Sequence, residues 1–360
     1  MKGKAINLSE YPTTRYQGSK RKILPWIYEN LKELRFNTVL DGCGGSASVS
    51  YLFKKMNKSV TYNDNLRFNH IIGKALIQNH TIKFTDEDIK NLFNTGLNTP
   101  DLINKVFKGV YYLENENRWL DEIGFGILHM NHYTGDVLDY KKSIAYYALF
   151  QACLTKRPFN LFHRNNLSIR TTDVKRNFGN KTTWEKDFAE TFISFVKEAN
   201  SKIFDSNTVC RSINESVFDI QDVEYDLVYL DPPYINSEGT NETSNYLKCY
   251  HFLEGLVHYD GWETMIDYET TNLRFRNSGE DEYFQKNNIH KSFELLIDKF
   301  QRSKIVISYK KGGIPSIEYI VKLMKKYKRN VYTRSQHYIY ALNKQNGNAA
   351  KNREVLIIGI

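Results

Sequence analysis

The chain contains little cysteine and no long apolar run. Its 360 residues include only four cysteines, Cys43, Cys153, Cys210 and Cys249, and none of them forms a CxxC pair. This spacing suggests neither a zinc site nor a disulfide framework. A run of about 18 apolar residues, which a membrane-spanning helix needs, is absent. The N-terminal residues also lack the apolar core of a secretory signal. We therefore expect a reduced, soluble protein of the cytoplasm.

Three familiar ligand-binding motifs are missing as well. The sequence has no G-x-G-x-x-G fingerprint, no G-x-x-x-x-G-K-[ST] loop and no H-E-x-x-H pair, and its nine histidines show no metal-ligand spacing. These absences disfavour nicotinamide binding, P-loop phosphate binding and a catalytic metal. No metal cofactor is expected.

Basic and aromatic residues are abundant. Lys and Arg number 50 against 41 Asp and Glu, giving a formal charge of +9, and there are 25 Tyr and 21 Phe. A basic surplus favours a polyanionic partner, and flat aromatic faces can stack on bases. Chains encoded by AT-rich genomes share this composition, so by itself it leaves nucleic-acid binding open.

The order of the predicted elements indicates an interrupted α/β domain. A strand over 37–41, a Gly-rich turn, a helix over 49–55 and a strand over 59–62 open a doubly wound sheet. Strand patterns resume near 208–213, 225–230, 304–308, 331–340 and 354–358. We predict a catalytic domain split into 1–65 and 201–360. The inserted region, 66–200, is predicted to be helical with a loop or hairpin over 158–183.

The motif Asp231-Pro-Pro-Tyr234 follows the apolar strand ending at Leu230. In open α/β sheets, ligands bind at this carboxyl edge. A carboxylate, a fixed Pro232 carbonyl and the Tyr234 ring can hold an exocyclic amino group while its ring stacks. We expect this turn to be the catalytic centre.

Two further segments are candidates for a ligand site. Asp41-Gly-Cys-Gly-Gly-Ser46 is a Gly-rich turn that lets a ligand approach the backbone, and Asp64 ends the next strand, where an acid can accept ribose hydroxyls. Tyr16-Gln-Gly-Ser-Lys20 precedes the first helix and could meet an anionic group. Each segment also has an ordinary structural explanation, as a βα turn, a helix cap or a basic N-terminal turn.

These elements, in this order, resemble the Dam-like class of adenine-specific DNA methyltransferases. The resemblance implies a Rossmann-like, S-adenosylmethionine-dependent methyltransferase fold, with a mostly parallel seven-stranded sheet and an inserted target-recognition region. It also implies that Asp231, Pro232 and Tyr234 hold a flipped adenine. The cofactor-binding residues that it implies are Tyr16, Lys20, Asp41, Gly45, Asp64, Asp219 and Asp231. Ser216 is an alternative to Asp219 for contacting the adenine of the cofactor.

The segment Pro158–Asn166 is similar to the hairpin with which that family enters DNA. Leu161 replaces the Gly of the family pattern, and Phe162 replaces its Leu. The resemblance makes this region the expected DNA contact, with Lys156, Arg157, His163, Arg164, Asn165, Arg170, Lys175 and Arg176 as candidates for base or phosphate contacts. A solvated basic loop is the alternative.

Residues 235–290 are expected to be polar and irregular. Within them, Tyr246–Leu256 is aromatic and is predicted to pack beside the Asp231 turn, either guiding the target base or only supporting the loop.

The expected activity is site-specific methylation of adenine N6 in duplex DNA. The expected protein is a monomer, with any cognate restriction endonuclease acting separately. Two alternatives remain open at this point. One is an RNA or protein amino-group methyltransferase on the same fold, and the other is a catalytically silent DNA-binding specificity partner.

Overall fold

The computed structural model describes residues 6–172, 181–221, 224–233, 235–236, 245–276, 282–337 and 353–360, and every element below lies within them. The strands are β1 Thr38–Asp41, β2 Ser59–Asn63, β3 Arg211–Ile213, β4 Leu227–Leu230, β5 Ile235–Asn236, β6 Lys304–Lys310, β7 Gly313–Ile314, β8 Val331–His337 and β9 Arg353–Gly359.

Seven of these strands form one sheet in the order β3-β2-β1-β4-β6-β9-β8. The first five run parallel, whereas β9 is antiparallel to both β6 and β8. All four residues of β4 are buried, as expected for a parallel strand that is covered on both faces. The predicted mostly parallel seven-stranded sheet is confirmed. The short strands β5 and β7 pair separately, with Ile235 opposite Ile314.

Helices cover the sheet and fill the insertion. They are α1 Leu24–Leu31, α2 Ser48–Lys55, α3 Arg67–Gly73, α4 Asp86–Phe93, α5 Leu102–Val106, α6 Glu114–Leu128, α7 Gly135–Thr155, α8 Ser168–Thr171, α9 Lys181–Glu185, α10 Phe188–Lys202, α11 Tyr246–Val257, α12 Trp262–Met265, α13 Ile289–Lys299 and α14 Ile317–Met324.

The insertion shares its core with one face of the sheet. Val39 and Tyr62, from β1 and β2, belong to the same buried cluster as Phe150 of α7 and Phe192 of α10. A second cluster on the opposite face joins the sheet to α13 and α14. The helices of 66–200 therefore pack as a layer of the same body, while the functional division at residues 66 and 200 stays a prediction.

The described ranges contain no helix that is both long and apolar enough to cross a membrane. Their His, Cys, Asp and Glu side chains form no group of three or more that could hold a metal ion.

Candidate active site

A cavity of about 440 Å³ lies at the carboxyl edge of the sheet and is called the edge cavity below. Parallel strands all end at this edge, so the turns that follow β1, β2 and β4 converge there. The predicted cofactor residues all line it: Tyr16, Lys20, Asp41, Gly45, Asp64, Asp219 and Asp231. Segments predicted from distant parts of the sequence therefore meet at one site.

The Gly-rich turn is shaped to hold Asp64. The Gly45 N–H donates to Asp64 Oδ2 at 2.9 Å, and Asp64 Oδ1 accepts from the Leu66 N–H at 2.9 Å and from Asn69 Nδ2 at 3.1 Å. At the neighbouring Gly44, a Cβ would come within 2.1 Å of the Tyr62 ring, so this position requires glycine. Burial raises the pKa of Asp64 to about 6, even though its hydrogen bonds favour the ionised form.

Asp41 lies deeper, at the end of β1. Its Oδ2 accepts from Ser50 Oγ at 2.7 Å. Burial raises the pKa of Asp41 to about 7, and the nearby Asp231 and Asp64 add to the effect, although the bond from Ser50 opposes it. The floor of the edge cavity is thus rich in carboxylates.

Lys20 connects the N-terminal segment to the Asp-Pro-Pro turn. Its Nζ lies 2.9 Å from Asp231 Oδ2 and 3.2 Å from Glu354 Oε1. Burial raises the pKa of Asp231 to about 6, with Lys20 lowering it and Glu354 raising it. Pro232 is buried behind Asp231, and Pro233 lines the cavity. The third predicted catalytic residue, Tyr234, lies outside the described residues.

An aromatic stack forms another wall. The Tyr16 ring lies nearly parallel to the rings of Tyr246 and Tyr250, within 8°, with centroid distances of 5.6 and 4.7 Å, and the centroids of Tyr246 and Tyr250 are 6.4 Å apart. Asn69 Nδ2 donates to the Tyr16 hydroxyl at 3.1 Å while also bonding Asp64. The same amide thus ties the stack to the carboxylate.

The stack depends on α11, where the expectation of irregular structure was wrong. Tyr246–Val257 is a helix, and Tyr246, Cys249, Tyr250 and Leu253 recur along it at helical spacing. That periodicity could have predicted the helix. Tyr246 and Asp231 line the same cavity, while the predicted packing of this segment beside the Asp231 turn stays a prediction.

The cavity lining also contains residues that sequence reasoning missed. Tyr283 and Phe284 line it, next to the segment Glu215–Asp219. Tyr283 stacks on Phe218 with centroids 3.9 Å apart. No motif marks 283–284, so only their position in the fold identifies them. Ser216 and Asp219 both line the cavity, and the choice between them stays open.

Three of the predicted DNA contacts were wrong. Lys156 Nζ lies 2.9 Å from Glu116 Oε1, and Arg170 pairs with both oxygens of Glu116 at 2.7 and 2.8 Å. Arg157 is 1% exposed and donates to the carbonyls of Leu161 and Arg164. These cations are paired with acceptors inside the fold and are not available to phosphates.

The remaining candidates fall into two groups. Arg164 and Asn165 are exposed, and His163 is half-buried. Lys175 and Arg176 lie outside the described residues. Within 158–172 the structure has a 3₁₀ turn, Pro158–Asn160, and the short α8, so the described part of the expected hairpin contains no strand.

The family comparison agrees with this geometry. The family of D12 class N6 adenine-specific DNA methyltransferases matches residues 16–256. This range runs from the Tyr16 segment through the Asp-Pro-Pro turn to α11.

Individual relatives extend the match to almost the whole chain. The chain is 26% identical to type II methyltransferase M2.HphI of Haemophilus parahaemolyticus, over 98% of this chain and 99% of that protein. It is 24% identical to type II methyltransferase M.FokI of Planomicrobium okeanokoites, over 86% of this chain and 46% of that protein. It is 22% identical to modification methylase StsI of Streptococcus sanguinis, over 95% of this chain and 50% of that protein. The chain thus spans nearly all of the first relative and about half the length of the other two.

The family assignment favours DNA over RNA or protein as the substrate, since the family is specific for adenine N6 in DNA. Methyltransferases of this family use S-adenosylmethionine as the methyl donor. With an edge cavity that gathers the motif residues and a family match over most of its length, the chain belongs to the D12 class of N6 adenine-specific DNA methyltransferases.

Proposed function

We propose that the edge cavity binds S-adenosylmethionine and that the Asp-Pro-Pro turn presents the target adenine to it. The observation that carries this proposal is the meeting of Lys20, Asp64 and Asp231 in one cavity. The volume of about 440 Å³ is within the usual range for small-molecule sites, roughly 300–1,000 Å³.

The charges lining the cavity fit this cofactor. Asp41 is a buried carboxylate, and Asp64 and Asp231 are half-buried carboxylates; three such groups around one cavity favour a ligand carrying positive charge. S-adenosylmethionine supplies an electrophilic methyl group on a positively charged sulfur. Asp64 would accept from the ribose hydroxyls, because its Oδ2 accepts from the Gly45 N–H and a carboxylate oxygen can accept a second bond. Lys20 and the Tyr16 ring would contact the remainder of the cofactor.

Tyr283 and Phe284, which line the cavity, would stack on the adenine of the cofactor. Asp219 or Ser216 would contact the edge of that ring. This arrangement places the aromatic end of the ligand against aromatic rings and the cationic end near Asp231.

Asp231 and the Pro232 carbonyl would accept the two hydrogens of the target amino group. The lone pair of adenine N6 is delocalised into the ring, so this nitrogen is a poor nucleophile. Two fixed acceptors favour a pyramidal nitrogen whose lone pair points at the methyl group, and correct positioning supplies much of the rate. As the N–C bond forms, the bond between the methyl group and the sulfonium would break with its electrons staying on sulfur; the nitrogen becomes acidic, and the Asp231 carboxylate can accept its proton. Tyr234 would stack on the base.

The target adenine must leave the helical stack to reach this turn, at a cost of a few kcal/mol. The exposed residues Arg164 and Asn165, together with His163, are the proposed base or phosphate contacts. Lys175 and Arg176 remain proposed phosphate contacts.

We further propose that the protein acts as a monomer in the cytoplasm of a bacterial or phage-infected cell. The type II names of the relatives support a cognate restriction endonuclease that acts as a separate protein.

The decisive experiment is single-turnover transfer of labelled methyl groups to duplex DNA, followed by nucleoside analysis. The expected product is N6-methyladenine at a defined sequence. Label on cytosine, on RNA alone or on protein would contradict the proposal. Absence of cofactor binding in a titration would instead favour a silent DNA-binding partner.

A further inference from the structure

Glu354 is a buried carboxylate that belongs to none of the motifs. It is the second residue of β9 and is 1% exposed. Because β9 runs antiparallel to β6, the beginning of β9 lies at the same edge of the sheet as the ends of the parallel strands, with Glu354 opposite Lys310. The topology therefore delivers a carboxylate to the back of the edge cavity from the last strand of the chain.

The contacts of Glu354 link it to the catalytic turn. Ser308 Oγ donates to Glu354 Oε1 at 2.7 Å, and Lys20 Nζ lies 3.2 Å from the same oxygen. The Lys20 ammonium also lies 2.9 Å from Asp231 Oδ2. Lys20 is thus clamped between two carboxylates, and we call Lys20, Asp231 and Glu354 the lysine cluster.

The lysine cluster has two carboxylates and one ammonium, so these three residues carry a formal charge of −1. Lys310, opposite Glu354 on β6, is a further cation whose charge acts on Glu354. Removing the negative charge of Glu354 would make the surroundings of the adjoining cavity less favourable to a cationic ligand such as the cofactor proposed above.

The geometry also restricts Asp231. Within the part of the chain that the structure describes, Lys20 is the side chain that hydrogen-bonds to Asp231, and it does so through Oδ2. With Oδ2 held by Lys20, Oδ1 is the oxygen that would accept from the target amino group. If Glu354 did not hold Lys20 from the other side, the ammonium could move toward Asp231 and change the orientation of its carboxylate.

We propose that Glu354 is a positioning residue for methyl transfer, which holds Lys20 so that Asp231 keeps its orientation and which gives the lysine cluster its negative charge. This inference rests on the proposed function of the edge cavity. Glu354 acts through Lys20 and through its charge. Its negative charge favours the cationic S-adenosylmethionine over S-adenosylhomocysteine, the product, which lacks the charge on sulfur.

The test is calorimetric titration of the full-length protein with S-adenosylmethionine and with S-adenosylhomocysteine. In Glu354→Gln, the preference for the cationic cofactor should fall about tenfold, since one charge at several ångströms and an effective dielectric constant of about 20 has an effect of this order. The single-turnover rate at saturating cofactor should fall as well. The matched control is Glu10→Gln, which removes the same charge from an exposed pair with Lys55 and should change neither quantity.

A purely structural role would give a different result. It would lower the melting temperature of Glu354→Gln but leave the ratio of the two affinities unchanged, and that outcome would overturn the proposal. If Glu354→Gln does not fold, Glu354→Asp provides the test, because it keeps the charge and withdraws it by one methylene group. An unchanged affinity ratio with a slower transfer rate supports the proposal, and a wild-type rate overturns it.

Failure of this inference can be distinguished from failure of the proposed function. A wild-type protein that binds neither ligand would refute the assignment of the edge cavity. The other outcome is a wild-type protein that binds both ligands and methylates adenine. If Glu354→Gln then has the same affinity ratio and the same transfer rate as the wild type, only the role of Glu354 is refuted.

Discussion

Lys20 and Lys156 are both buried lysines that pair with a glutamate, yet they belong to regions with different uses. Lys20 lies between two carboxylates, Asp231 and Glu354, beside the edge cavity. Lys156 shares a single carboxylate, Glu116, with Arg170. The first cluster carries a formal charge of −1 and adjoins a cavity. The second carries +1 and is closed off inside the insertion. Buried charge by itself therefore does not mark a binding site; the adjoining cavity and the sign of the excess charge do.

The Glu116 cluster acts as a cross-link. Glu116 lies on α6, and its two cations flank the segment that carries the exposed Arg164. Although burial opposes it, Arg170 and Lys156 hold the pKa of Glu116 below its usual value, so the carboxylate stays ionised. The cross-link thus fixes both ends of the segment that carries Arg164, which is the proposed DNA-contacting loop.

The largest expected effect is on catalysis. Asp231→Asn removes a charged acceptor but keeps the shape of the side chain, and losing one preorganised electrostatic contact costs about 10²–10³ in rate. Single-turnover methyl transfer measures it. Asp260→Asn is the control, because Asp260 is exposed in a pair with His129. A wild-type rate in Asp231→Asn would show that the Asp-Pro-Pro turn is not the catalytic centre.

Cofactor affinity should respond to Asp64. Asp64→Asn replaces a carboxylate that would accept from ribose hydroxyls, and losing a charged hydrogen bond costs about 1.5–3 kcal/mol, or roughly 10- to 150-fold in affinity. Calorimetry with S-adenosylmethionine measures this loss, and DNA affinity should stay unchanged. Asp139→Asn, in an exposed pair with Lys74, is the control. Unchanged cofactor affinity in Asp64→Asn would remove Asp64 from the site.

The Glu116 cluster should respond in stability. Arg170→Met removes one of two cations from a buried carboxylate, which should lower the free energy of unfolding by about 1–3 kcal/mol. Denaturant titration measures the change. Arg118→Met, which breaks an exposed pair with Glu114, should have little effect. Equal effects of the two substitutions would contradict the structural role assigned to Arg170.

Arg164 should show the opposite behaviour. Arg164→Ala should leave the free energy of unfolding nearly unchanged and weaken DNA binding by about 1–3 kcal/mol if the side chain reads a base edge. The comparison is made on cognate and altered duplexes at one salt concentration. If DNA affinity and sequence preference both stay at wild-type values, DNA recognition must lie elsewhere.

The smallest predicted effect is the response to pH near neutrality. The pKa of Asp231 is raised to about 6, mainly by burial, and the proposed step needs its ionised form. The transfer rate should therefore be full above this pKa, fall to about half near pH 6 and drop roughly tenfold per unit below it. A pH profile of the single-turnover rate tests this. A rate that stays constant down to pH 5 would contradict the need for an ionised Asp231.

Local sequence patterns predicted most of the segments that line the edge cavity. The apolar run before Asp231 marked a buried strand, and the glycines after Asp41 marked a tight βα turn. Asp64 followed from its place at the end of the next strand. Each of these inferences needs only a few consecutive residues and the rule that parallel strands end at one edge.

Other predictions failed because local patterns do not reveal pairing partners. Lys156, Arg157 and Arg170 looked like a basic surface, since the acid and carbonyls that neutralise them come from other parts of the fold. The helix α11 was missed although its spacing was visible, because its polar surroundings obscured the pattern.

The sequence by itself determined which segments are proposed to bear the chemistry: the Tyr16–Lys20 segment, the Gly-rich turn, Asp64 and the Asp-Pro-Pro turn, in the order typical of one methyltransferase family. Only the tertiary structure decided which charges are available to a ligand. An antiparallel last strand brings Glu354 to Lys20, and α6 brings Glu116 to Lys156 and Arg170. The physical reason is that strand and turn signals arise from neighbouring residues, whereas burial and charge pairing arise from contacts between residues far apart in the chain.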